Sequence, residues 1–120
     1  MLIHILLVFL FCAGPSASAE TVVTPGSKTL PLPGEAFQLD GHDAFVILPP
    51  GASGDIPWVW YAPTLRGLPA KSEVWMFERF LAKGIAIAGI DVGESFGSPT
   101  GTKLYSALYD HLVTKRGFHQ

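Results

Sequence analysis

The sequence predicts an α/β fold: an N-terminal hairpin followed by a parallel strand-helix-strand-helix run. Three observations carry this expectation. Two short apolar runs, Ala36–Leu39 and Ala44–Leu48, flank Asp40-Gly41, a dipeptide that favours a tight antiparallel turn. Between Pro57 and Ser98 come an apolar strand, a loop, an amphipathic helix, a second apolar strand and a Gly/Ser loop, which is the repeating unit of a parallel sheet. A last helix then ends near Gly117, so the strand that this alternation calls for is missing and the domain reads as truncated.

The first 19 residues read as a secretory signal. Ile5 to Cys12 has the length of an h-region, Gly14-Pro15 breaks it, and Ala17-Ser18-Ala19 offers a small-x-small cleavage site. The n-region lacks Lys and Arg; a retained anchor or a buried helix is the alternative, although the stretch is short for a bilayer span. The expected localisation is secreted or periplasmic, with no membrane attachment after cleavage. Cys12 is the single cysteine and would leave with the signal, so the mature chain has neither disulfides nor thiolate metal sites. Phe11 stands where a lipoprotein needs a small residue, which disfavours lipidation at Cys12.

Residues 20–34 form an extended leader, because Leu30-Pro31-Leu32-Pro33 can hold neither a helix nor a central strand. Residues 35–120 form the domain. After the hairpin, Pro49-Pro50-Gly51 forces a loop. Trp58-Val59-Trp60-Tyr61 shows no polar alternation, so it reads as a strand buried on both faces. Ser72 caps a helix running to Lys83, with Gly84 as its stop. Val74, Phe77, Phe80 and Leu81 share its sheet-packing face. Ile85–Ile90 is wholly apolar and therefore central. The last helix begins near Thr100 to Thr102 and ends at Lys115-Arg116-Gly117, with Leu104, Leu108 and Leu112 on its inner face.

Composition excludes several functions. With 48% hydrophobic residues the 120-residue chain fills one core. A net charge of -2, with 8 scattered Lys and Arg, gives no electrostatic footprint for nucleic acid. Gly89, Gly93 and Gly97 do not make a dinucleotide fingerprint, and the Gly97 to Lys103 stretch misses the phosphate-loop spacing. His42, His111 and His119 lie at no spacing that implies a metal or a triad. No cofactor and no metal are expected. Trp58, Trp60 and Trp75 raise the question of a carbohydrate surface, but Trp58 and Trp60 share one strand face and Trp75 lies on a sheet-packing helix, so core packing is the expectation.

Tyr61-Ala62-Pro63-Thr64-Leu65 after the third strand and Asp91-Val92-Gly93-Glu94-Ser95-Phe96-Gly97 after the fourth resemble the N-terminal part of the α/β-hydrolase superfamily, in its secreted serine esterase and prolyl-oligopeptidase-like branch. The resemblance spans about Gly34 to Gly117 and implies a partial α/β-hydrolase-like layered sheet. It implies an ester or peptide substrate. One donor of the oxyanion hole would come from the loop after the third strand; Pro63 has no N–H, which leaves Thr64 or Leu65. Tyr61 and Asp91 would line the substrate pocket, although Asp91 could simply accept backbone bonds in its own turn.

Gly93-Glu94-Ser95-Phe96-Gly97 matches G-x-S-x-G literally. A nucleophile elbow needs a helix beginning at the serine, and Ser98-Pro99-Thr100-Gly101 interrupts it; Ser95 also follows the fourth strand rather than the family's fifth. The decoy reading is therefore preferred to the nucleophile reading. The function expected is the N-terminal fragment of an exported serine hydrolase, inactive alone and prone to self-association through an unpaired Trp58–Tyr61 edge. The rival is a complete small exported α/β binding or structural domain. Export should yield a mature chain beginning at Glu20 by mass spectrometry; a product retaining Met1, or lipidated at Cys12, would overturn the signal assignment.

Overall fold

The computed structural model describes residues 21–120; the segment expected to be a secretory signal, with Cys12, lies outside them. Five strands, β1 (Val23–Pro25), β2 (Glu35–Leu39), β3 (His42–Ile47), β4 (Trp58–Trp60) and β5 (Ala86–Ile90), form one sheet in the order β1-β2-β3-β5-β4. Helix α1 (Val74–Ala82) packs on one face and helix α2 (Pro99–Asp110) on the other.

The hairpin forms where its sequence places it. Leu39 faces His42 across a two-residue loop, and Asp40 and Gly41 both take positive φ, 51° and 79°. That is the geometry whose twist matches paired strands, and Asp-Gly reaches it at little cost. Part of the leader also joins the sheet, with Val23-Thr24-Pro25 running antiparallel to Phe37-Gln38-Leu39. Pro25 is tolerated there because β1 is an edge.

The layered parallel α/β sheet expected from the sequence, and the α/β-hydrolase-like pattern with it, does not form. Three pairings are antiparallel, β1 with β2, β2 with β3 and β3 with β5, and only β4 with β5 is parallel. The fold is a small α+β fold on a mixed, mostly antiparallel sheet. The physical reason is connectivity. Parallel neighbours require a crossover, and α1 supplies one between β4 and β5 alone. The loop after Ile47 carries the chain past an empty position, which β5 later fills against β3.

All five residues of β5 are buried, as an all-apolar strand requires. Ala86, Ala88 and Ile90 pack with Val46 and with Leu104, Leu108 and Leu112 beneath α2 and its continuation, a π-helical turn over His111–Lys115. Ile87 packs with Phe45, Ile47 and Phe77 beneath α1. β4 departs from expectation. It is an edge strand, half-buried rather than sealed on both faces, and Trp60 is 44% exposed. Pro57 C=O accepts from Ala86 N–H at 2.9 Å and Tyr61 N–H donates to Ala88 C=O at 2.8 Å. In the alternation of a parallel pair, Trp58 and Trp60 therefore turn their own N–H and C=O to the open edge.

The start of α1 also differs from the sequence reading. Ser72 does not cap it; a 3-10 turn over Lys71–Glu73 precedes the helix, and the Glu73 carboxylate accepts from Ala70 N–H at 2.6 Å and from Ser72 O–H at 2.9 Å. For α2 the cap is Ser98, whose Oγ accepts from Gly101 N–H at 3.2 Å, with Pro99 pre-set for the first helical position.

Gly89 marks the tightest point of the core. A Cβ there would overlap the Tyr61 carbonyl oxygen and come within 2.8 Å of the Phe45 ring. Gly89→Ala should lower stability by about 1–3 kcal/mol through overpacking. A denaturant midpoint unchanged from the parent would show that β4 and β5 are not held this closely.

Candidate functional site

The two parallel strands end on the same side of the sheet, where open sheets place their ligand sites. The loop after β4 and the loop after β5 face each other there across a cavity of about 420 Å³. Thr64, Leu65 and Arg66 form one wall, and Asp91, Val92 and Gly93 another. Because β3 runs opposite to β4 and β5, its first residues, His42 and Asp43, close the cavity from the hairpin turn.

Two prolines hold the β4 loop. Pro63 and Pro69 are fully buried, while Thr64, Leu65 and Arg66 between them are exposed. The loop is therefore anchored at both ends, and these fixed-φ residues reduce the cost of ordering it. Leu65 is 67% exposed, an apolar side chain at a cavity of mixed lining. Arg66 has no ion-pair partner among the described residues.

Asp91 is held by three residues from two segments, the leader and β3. Both of its carboxylate oxygens accept from Lys28 Nζ, at 2.7 and 2.8 Å, and the lysine side chain is only 7% exposed. Its N–H donates to Asp43 C=O at 2.7 Å. His42 Nδ1 lies 3.1 Å from its carbonyl oxygen; a carbonyl can only accept, so this nitrogen is the donor. Asp91 lines this cavity, with its negative charge compensated by Lys28 from the leader.

Tyr61 does not reach the cavity. Its ring stands edge-on to Phe77 at 5.3 Å and to Phe45 at 6.2 Å under α1, with its hydroxyl on the side of the Glu73 carboxylate. The phenol is raised above its ordinary value by burial first, then by the Glu73 charge. Glu73 is lowered, first by the Ala70 N–H bond and further by its bond to Ser72.

Ser95 is not arranged as a nucleophile. Its carbonyl accepts from Ser98 N–H at 2.7 Å, and its Cβ sits over Gly101 in the first turn of α2. No histidine or carboxylate hydrogen-bonds its Oγ among the described residues. The strained position of this loop is Phe96, at φ 48° and 90% exposed, flanked by Gly93 and Gly97 at positive φ. The helix begins four residues after Ser95, at Pro99, so the serine packs beside its first turn and does not head it. Among the described residues no group of three or more His, Cys, Asp or Glu converges to hold a metal, and no helix is long and apolar enough to cross a membrane.

The structure thus brings Thr64, Leu65 and Asp91 together and sets Tyr61 and Ser95 apart. It adds His42, Asp43, Arg66 and Lys28. The pair His42-Asp43 is visible in the sequence, but only the direction of β3 puts it at the same end of the sheet as the two loops. No protein-family model, curated protein or solved structure matches this chain.

The Glu73 bonds predict a pH dependence. Its folded-state value lies below the ordinary value of 4.5, so its contribution is complete above that pH and is lost as pH falls through the lowered value. Glu73→Gln should destabilise the protein near neutrality and flatten the acid limb of a stability-against-pH curve. Parallel curves for parent and variant would contradict the assigned bonds.

Proposed function

We propose that this chain is the N-terminal portion of an exported serine hydrolase acting on ester or peptide bonds, and that the described domain holds the substrate carbonyl without supplying the nucleophile. The observation that carries the reading is the shared cavity of the Thr64-Leu65-Arg66 and Asp91-Val92-Gly93 loops at the carboxyl ends of β4 and β5.

When a nucleophile adds to an ester or amide carbonyl, negative charge gathers on the oxygen, and backbone N–H groups held at that place lower the barrier. Thr64 and Leu65 can each donate one, whereas Pro63 cannot. The buried prolines on either side keep the loop from having to reorganise during the reaction. The exposed Leu65 side chain offers apolar contact to the acyl or peptidyl group, and Arg66 and Asp43 set polarity at the rim. The serine, its base and the acid that orients it would come from chain outside the described residues. No metal or cofactor is invoked in this scheme. Ser95 serves the fold of the loop, packed on Gly101.

The test is expression of the complete reading frame that contains this chain, alongside the chain alone. The chain alone should neither hydrolyse p-nitrophenyl acetate nor take up a fluorophosphonate probe. The longer product should label at a serine outside this sequence, and Thr64→Pro or Leu65→Pro in it should cut kcat by about 10²–10³ with KM little changed, as loss of one oxyanion donor does. Labelling of Ser95, or full activity in both proline variants, would overturn the proposal.

A further inference from the structure

A separate cleft lies between β4 and α2. It has a volume of about 320 Å³, at the small end of ligand pockets, and is lined by Trp60, Tyr105, Tyr109, Thr102, Ser106 and Asp110. These residues do not serve the cavity described above, and the argument from them does not depend on the hydrolase reading.

Trp60 is the centre of the cleft. Its ring packs against Trp58 at 4.6 Å and edge-on against Tyr105 at 5.5 Å, so its orientation is set from two sides, yet 44% of the residue is exposed. Tyr109 beside it is 37% exposed. An aromatic plane fixed by neighbours and left open to water is not core packing. By contrast Trp58 is half-buried and its indole N–H is occupied by the His119 carbonyl at 3.0 Å. The polar lining has one character. Thr102 and Ser106 bring neutral hydroxyls one turn apart on α2, and Asp110 brings a single carboxylate one turn further on. No lysine or arginine lines the cleft.

We propose that this cleft binds one ring of a neutral oligosaccharide. A pyranose has an apolar face of C–H groups bearing partial positive charge, which meets the negative face of an aromatic ring, and an equatorial rim of hydroxyls that both donate and accept. Trp60 supplies the platform. Asp110 accepts from two hydroxyls, and Thr102, Ser106 and the Tyr109 hydroxyl complete the rim. The charge of the lining selects the ligand: a lone carboxylate with no cation repels phosphorylated or uronic sugars and suits neutral ones. Because the platform is already oriented, little side-chain entropy is lost on binding.

Isothermal titration with xylohexaose and with cellohexaose tests the site, with parallel light scattering to record the oligomeric state. At least one should bind saturably. Trp60→Ala should raise its Kd by about tenfold or more, a tenfold change being about 1.4 kcal/mol. Asp110→Asn, which keeps shape and removes charge, should also weaken binding. Trp75→Ala, at a tryptophan 67% exposed on α1 with Arg79 over its ring, should leave it unchanged. Circular dichroism of each variant confirms that it is folded. No saturable heat with either sugar, equal binding by Trp60→Ala, or equal loss in Trp75→Ala overturns the proposal. So does an oligomer that Trp60→Ala disperses with no response to sugar, which would assign this face to strand pairing.

Discussion

The insertion of β5 between β3 and β4 is the constraint on which the rest of the structure depends. It is the one strand that joins the antiparallel hairpin to the parallel pair, and all five of its residues are buried. Each of its faces mixes small and large residues, with Ala86, Ala88 and Ile90 on one and Ile87 and Gly89 on the other. Ala86 and Ala88 leave room for the leucines of α2, and Gly89 leaves room for the Phe45 ring and the Tyr61 carbonyl on the other side. Interiors packed this closely have no slack, so the side chains of β5 fix how near both helices approach the sheet.

The position of β5 also places the cavity. Its last residue passes straight into Asp91, whose backbone bonds to β3 and whose carboxylate binds Lys28 from the leader. A lysine this shielded from water needs a partner, and the Asp91 carboxylate supplies both the opposite charge and the hydrogen-bond acceptors. The leader segment is thereby tied to the end of β5, three places along the sheet from the strand it forms with β2. The β4 loop needs no such clamp, because Pro63 and Pro69 are sunk in the core at its ends. One wall of the cavity is fixed by an ion pair and the other by buried rings.

A single three-residue strand divides the aromatic residues into two groups. On the α1 side, Tyr61 lies at the end of β4 with its ring packed edge-on against Phe77 and Phe45. On the α2 side, Trp58 and Trp60 meet Tyr105 and Tyr109, and the group stays open to solvent at Trp60 and Tyr109. The difference follows from β4 being an edge. There is sheet beside it on one side alone, and α2 crosses at its rim rather than over its middle. Open aromatic surface next to unpaired backbone groups is where this domain is equipped to meet something else.

Local signals in the sequence determined the local elements. Asp40-Gly41 determined a two-residue hairpin because few other pairs take two positive φ values in succession. The unbroken apolar run of Ile85–Ile90 determined a central strand, since every alternative would expose it. Leu104, Leu108 and Leu112 determined the inner face of the last helix, and Ser98-Pro99-Thr100-Gly101 determined that Ser95 could not head a helix. Only the tertiary structure decided strand direction and neighbours. The same apolar runs fit a parallel or a mixed sheet, because burial is indifferent to direction while hydrogen-bonded order depends on where the loop after Ile47 lands. From that one decision came the exposure of Trp60, the turning of Tyr61 away from the cavity, and the meeting of His42 and Lys28 with Asp91, residues 49 and 63 positions apart that no local pattern connects.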